Sequence, residues 1–343
     1  MAEIKRQTEL DILRLLATLA VIMIHGGLNP LTDNLMIKYM YRGMHAAIVW
    51  CVPVFFMISG RFFLDPERDV SAKKILTVYL PHIIVPFLVW SGVYTAYGVI
   101  SGSYSHLSTF GIIAEFIHGP YHLWFLYSLA GLYLLTPILR KAAADGKTLA
   151  YFLIMFAAVN VVTQYLIYVP KIGGMISDFI ERTGLRAVTG YMGYFMLGYF
   201  LYSKKANMSK KTETAIYVIG ILMLIATIAA ECFISEELRK TDFVKQYMKP
   251  NVILYSAAIY AFFVMKISKI HYSDRTRKVF AVFTECGFGV YCIHAILNEF
   301  VPTPVIKSLP FITSLLRVAC LYALSLALIW LIRKIPFVGK KIT

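Results

Sequence analysis

Two titratable residues stand inside the first membrane-length apolar run of the chain, Arg14 and His25, eleven positions apart. A guanidinium holds phosphate or carboxylate by charge-assisted hydrogen bonds, and an imidazole takes or gives a proton near neutral pH. The pair therefore has the residue types for anion binding and for general acid–base chemistry. At about 100° and ~1.5 Å per residue, an α-helix returns His25 to within ~20° of Arg14 and ~16 Å along the axis, so the spacing predicts a shared face. Asp11, three residues before Arg14, is placed to pair with it on that helix. Ionisable groups at membrane depth face a protein interior or a water-filled route and mark function. Each residue alone also has an ordinary reading, with Arg14 snorkelling to headgroups at one membrane surface and His25 resting at the other. At this stage both readings stand.

Other chemistry-bearing residues are more scattered. The segment Ser101–Tyr121 has no Lys or Arg, carries His106, Glu115 and His118, and leads into His122. His118 and His122 have a metal-like spacing, but Gly119-Pro120 interrupts any helix that would align them, so no metal site is expected. Glu285 and His294 are nine residues apart, about 180° out of phase on a helix, and His294 is the better candidate of the two for a polar path. Ser59-Gly60 reads as a small-residue packing pair or a hydroxyl lining the path, with no nucleophile elbow around the serine. Trp124 and Tyr127 have the belt and core roles common to membrane aromatics, with substrate contact as the alternative. The five cysteines form no C-x-x-C motif and read as packing residues.

The elements that must position these groups follow from composition. The chain has 343 residues, is 59% hydrophobic and 15% charged, and has a mean hydropathy of +0.67. Runs able to cross about 30 Å of hydrocarbon recur from end to end. Ten are expected, near Leu10–Gly26, Ala46–Phe63, Tyr79–Val99, His122–Leu139, Leu149–Tyr168, Ala187–Tyr202, Thr214–Ile234, Val252–Ile267, Val279–Phe300 and Ile312–Ile332. The expected fold class is all-α, a polytopic membrane helix bundle forming a single domain over residues 1–343. No cleavable signal peptide is expected, because Gly26-Gly27-Leu28-Asn29-Pro30 follows the first run without a small-x-small site.

The net charge of +15 is not a nucleic-acid footprint. With the N-terminus inside, the cytoplasmic segments carry roughly twice as many Lys and Arg as the opposite loops, so both termini are expected in the cytoplasm. The same cations suit anionic headgroups or an anionic cytoplasmic ligand. No loop is long enough to hold a separate soluble domain, so any catalysis belongs to the membrane bundle.

Asp11-Ile12-Leu13-Arg14, ten further residues and His25 resemble the first span of the integral membrane acyltransferase-3 family. Four later segments resemble the same family in collinear order: Pro53-Val54-Phe55-Phe56-Met57-Ile58-Ser59-Gly60, Pro86-Phe87-Leu88-Val89-Trp90-Ser91, His122-Leu123-Trp124-Phe125-Leu126-Tyr127, and Gly287-Phe288-Gly289-Val290-Tyr291-Cys292-Ile293-His294. One element departs. Where many members carry Arg-x-x-Arg before the third span, this chain reads Lys73-Lys74-Ile75-Leu76-Thr77, without the bidentate geometry of arginine.

The resemblance implies a multi-pass protein of the cell membrane, a bacterial cytoplasmic membrane, that moves an acetyl group from cytoplasmic acetyl-coenzyme A to a hydroxyl of a cell-envelope glycan or lipid-linked saccharide. Its implied partners are the acyl-coenzyme A donor, the saccharide acceptor and membrane lipid, with no metal and no nucleic acid. His25, Arg14 and Asp11 would be the catalytic group, with Arg14, Lys73, Lys74 and His82 toward the donor. Ser59, His122, Trp124, Tyr127 and His294 would line the substrate path. Two alternatives remain at this stage: a transporter of a small polar solute or glycan that uses Arg14 as counter-charge and His25 as proton relay, and transfer of succinyl or another acyl group.

Overall fold

The computed structural model describes residues 6–27, 34–234, 244–302 and 310–343. Leu28-Asn29-Pro30 of the expected uncleaved segment and most of the loop expected before Pro250 lie outside the described residues. All regular secondary structure among the described residues is helical, with no strand. In chain order the helices are α1 (Thr8–Ile22), α2 (Leu35–Ile48), α3 (Cys51–Phe63), α4 (Ala72–Lys74), α5 (Pro81–Ile100), α6 (Thr109–His118), α7 (Trp124–Ala144), α8 (Gly146–Gln164), α9 (Gly173–Arg182), α10 (Tyr191–Lys204), α11 (Lys210–Phe233), α12 (Pro250–Met265), α13 (Asp274–Phe300), α14 (Pro310–Ile332) and α15 (Gly339–Ile342).

Among the described residues, nine helical stretches are long and apolar enough to cross a membrane. The shorter α10 covers the sixth expected span in 14 residues. The protein is a multi-pass membrane helix bundle of roughly ten spans, as its composition predicts. Local chemistry sets where the helices begin. Asn34, Ser108, Asp145 and Ser209 each accept backbone N–H bonds at an N-terminus, and proline opens α5 and α12. The second span begins earlier than its hydropathy predicts. The stretch Leu35–Phe63 starts with α2, whose Lys38 and Arg42 dilute its apolar signal.

The chain forms two compact units. The first comprises Met1–Ile24, Leu28–Asp69 and Ile138–Ala281. Its tightest seam joins α3 and α10: a Cβ at Gly60 would strike the carbonyl of Phe195, and one at Gly198 would strike the backbone of Met57. Backbones approach this closely because each helix presents a glycine at the contact, Gly60 on α3 and Gly198 on α10, so Gly60 has a packing role. Arg140 ties down the turn after α3 by donating to the carbonyls of Phe63 and Asp65 at 2.8 Å and of Arg68 at 3.0 Å.

The second unit comprises His25–Gly27, Val70–Pro137 and Val282–Thr343. Within it the Trp90 indole on α5 donates to the Ile342 carbonyl of α15 at 2.8 Å. Arg333 donates to the Glu285 carbonyl at 2.8 Å and meets its carboxylate at 3.4 Å. Glu285 is therefore engaged with Arg333 near the middle of α13, nine residues before His294.

Candidate active site

The α-helical phase of the first span ends at Ile22, and a π turn over Met23–Gly27 carries His25. A π turn widens the helix by about one residue per turn and recurs at functional sites. Its effect is to re-aim His25 away from the position an unbroken α-helix would give. The turn is anchored by Asn298 of α13, whose amide donates to the His25 carbonyl at 3.4 Å. Gly26 permits that approach, since a Cβ there would lie 2.7 Å from Asn298 Oδ1.

Around His25 the second unit gathers two more histidines from distant parts of the sequence. His122, just before α7, and His294, on α13, have ring centroids 5.1 Å apart. His25 lies 5.4 Å from His294 and 6.5 Å from His122. Tyr121 packs edge-on against His25 at 5.2 Å and against His122 at 5.3 Å. Tyr94 of α5 stands 5.2 Å from His122, and Tyr291 stands 5.6 Å from the same ring. His25 is half-buried, while His122 and His294 are buried.

Hydrogen bonds fix which ring nitrogens carry protons. His122 Nε2 lies 3.2 Å from the Cys292 carbonyl and His294 Nδ1 lies 2.6 Å from the Tyr291 carbonyl. A carbonyl only accepts, so each of these nitrogens donates. In the neutral rings the lone pairs then reside on His122 Nδ1 and His294 Nε2. Both atoms are buried and have no hydrogen-bond partner among the described residues. Burial of an unpartnered polar atom costs roughly 1–3 kcal/mol, a cost associated with reactive or ligand-binding positions. The backbone beneath the rings is held firmly: Tyr94 donates to the Cys292 carbonyl at 3.0 Å and accepts from the Ile296 amide at 2.8 Å, and Tyr291 donates to the His122 carbonyl. The cluster thus offers proton-accepting nitrogens on a braced frame, beside one half-buried imidazole.

The first unit holds the arginine pattern. Arg14 Nη1 meets Asp11 Oδ1 at 3.2 Å, as the spacing predicts, and Arg6 Nε meets Asp11 Oδ2 at 2.6 Å. Arg14, Arg61 and Arg68 place their guanidinium carbons 5.1, 5.5 and 4.3 Å from the Phe62 ring centroid. Arg61, buried, also pairs with Asp65 at 2.6 Å and lies 3.4 Å from the Tyr202 ring centroid. Arg61 escaped the sequence reading because it entered only the cytoplasmic charge count.

The remaining expected residues fall elsewhere. Lys73 is exposed and Lys74 half-exposed on α4 in the second unit. His82 turns Nδ1 to the Val78 carbonyl of its own helix at 2.5 Å. Ser59 is half-buried on α3 in the first unit. Tyr127 donates to the Ile117 carbonyl and packs on Phe87, and Trp124 packs on Phe125. Of the residues expected to line a substrate path, His122 and His294 are thus brought to His25. Tyr94, Tyr121 and Tyr291 were not singled out, although Tyr121 adjoins His122 and Tyr291 lies one helical turn before His294.

The acyltransferase domain model of the acyltransferase-3 family matches residues 7–334, almost the whole chain. The chain belongs to that family. No curated protein and no solved structure matches it. As an acyltransferase-3 protein it is a membrane-embedded acyltransferase, and the family implies an acyl-coenzyme A donor. Both the arginine–aspartate pair and the three histidines lie within the matched residues.

Proposed function

We propose that this acyltransferase transfers an acetyl group from cytoplasmic acetyl-coenzyme A to a hydroxyl of a cell-envelope glycan or lipid-linked saccharide on the opposite side of the membrane. The observation that carries this reading is the convergence of His25, His122 and His294 with two lone-pair nitrogens left without partners.

His25, the most accessible ring, takes the proton of the acceptor hydroxyl as its oxygen attacks the thioester carbonyl carbon. The carbon–oxygen bond forms, the carbon–sulfur bond breaks, and the leaving thiolate takes the proton back from the imidazolium. A neutral base is thereby restored, and the products are the ester and free coenzyme A. His294, 5.4 Å away, supports the transient charge on His25 through its proton-accepting Nε2. In the first unit Arg14, held by Asp11, has the chemistry for donor phosphates; in the second, Lys73 and Lys74 have it as point charges.

The test is transfer in sealed proteoliposomes, with radiolabelled acetyl-coenzyme A on one face and envelope glycan on the other. Label in the glycan, with one coenzyme A released per ester, is the expected result. Solute flux with no donor consumed would overturn the proposal in favour of transport, and transfer from succinyl-coenzyme A alone would overturn its choice of donor.

A further inference from the structure

The last span carries one charged side chain, Arg317, which the proposed mechanism does not use. A charge inside a span costs free energy and marks a task. The guanidinium is spent on the end of α13: Nη2 donates to the Asn298 carbonyl at 3.1 Å and to the Val301 carbonyl at 3.3 Å. The sequence explains why Asn298 needs an outside donor. α13 ends at Phe300, and its ladder closes with the Val301 amide on the Leu297 carbonyl at 3.0 Å. The next amide in that ladder would come from Pro302, which has no N–H to give. A cation there also complements the negative end of the helix dipole. Arg317 Nε is buried without a hydrogen-bond partner among the described residues, a cost that the two carbonyl bonds offset.

The helix end held in this way is the one that meets His25. Asn298 lies one turn beyond His294 on the same face of α13, and its amide donates to the His25 carbonyl at 3.4 Å. Leu321, one turn beyond Arg317 on α14 and fully buried, packs on the same turn: a Cβ at Gly26 would lie 3.0 Å from its Cδ2. One face of α14 therefore grips the end of α13 with Arg317 and backs the residue after His25 with Leu321.

A hydrogen bond of 3.4 Å is long and holds little unless its donor is fixed. We propose that Arg317 is a positioning residue: by holding the C-terminus of α13 it keeps Asn298 against the turn, and so keeps the His25 and His294 rings 5.4 Å apart. It acts through Asn298 and takes no part in proton transfer. The inference rests on the proposed role of His25 as the base and adds what sets its place. Misplacing a reacting group by about 1 Å is enough to cost a large factor in rate, so a residue two contacts away can control turnover.

The test uses Arg317→Met, Asn298→Leu and the double variant of the full chain in nanodiscs, with two readouts. The first needs no reaction: solid-state NMR of nitrogen-15 histidine, with the His25 and His294 signals assigned by their loss in His25→Ala and His294→Phe. Both single variants should shift or split those two signals in the same way, while the signal of exposed His271 stays in place. The second is acetyl transfer, where each single variant should lower kcat about tenfold with KM for the donor within about twofold. Because Arg317 acts through Asn298, the double variant should lose no more than either single one. Where Arg317→Met does not fold, Arg317→Lys, which keeps the charge without the planar fork, is read in its place. Unmoved His25 and His294 signals in the Arg317 variant, or losses in kcat that multiply in the double variant, would overturn the inference. Shifted histidine signals in a chain whose wild type transfers no acetyl would keep Arg317 as a positioning residue and remove the proposed activity instead.

Discussion

The arginine–aspartate pairs of the first unit and the histidines of the second are held in different ways. In the first, charge meets charge: Arg61 against Asp65, Arg6 and Arg14 against Asp11, and Lys245 against Glu231. In the second, His122 and His294 each spend one nitrogen on a backbone carbonyl and leave the other buried without a partner. Paired charges set geometry and fail together when one partner is removed. An unpartnered imidazole nitrogen costs stability and keeps a reactive lone pair. On the proposed mechanism, the contrast separates residues that position from residues that react.

The largest effect that would break this contrast is at Arg61. Arg61→Met strands the half-buried Asp65 carboxylate and should cost about 3 kcal/mol of stability, read as thermal unfolding in nanodiscs, with Arg61→Met/Asp65→Leu recovering most of it. If the single variant unfolds like wild type, the ion pair is not structural. His294→Phe should act on the other axis, lowering kcat about a hundredfold, or about 2.7 kcal/mol in barrier, while filling the same space and leaving unfolding unchanged. A large stability loss with normal turnover would place His294 among the positioning residues instead.

Smaller effects sharpen the comparison. Asp11→Asn leaves two partly exposed arginines without their carboxylate and should cost about 1–2 kcal/mol, together with a raised KM for the acyl donor. The smallest is a pH effect at Lys249, which precedes the eighth span. Burial pulls its ammonium down to about 8 from an ordinary 10.5. Between those values the unfolded chain holds a proton that the folded chain has released, so removing protons favours folding. The melting temperature of wild type should therefore rise relative to that of Lys249→Met as pH goes from 8 to 10, and a relative fall would contradict the sign.

Much of the fold is legible because the bilayer demands about 20 apolar residues per helical span, a requirement that periodicity and composition expose directly. The start of the second span at Leu35 was hidden by Lys38 and Arg42, which are tolerated because α2 needs only one apolar face. The Asp11–Arg14 pair is legible from i, i+3 spacing alone. The convergence of His25, His122 and His294 is not, because it depends on the rotation of separate helices and on a π turn at Met23–Gly27 that no local pattern announces. Only the collinear family motifs carried all three histidines in advance. The tyrosines around them were obscured by a chain containing 23 tyrosines, most of which have packing or interfacial roles.

The central claim is that His25 is the base at the reacting hydroxyl, and its most direct test is the rate of labelled acetyl transfer in proteoliposomes by His25→Ala beside wild type at matched folded protein. A loss of at least about a hundredfold with unchanged melting temperature is the predicted result. Transfer within about twofold of wild type would contradict it.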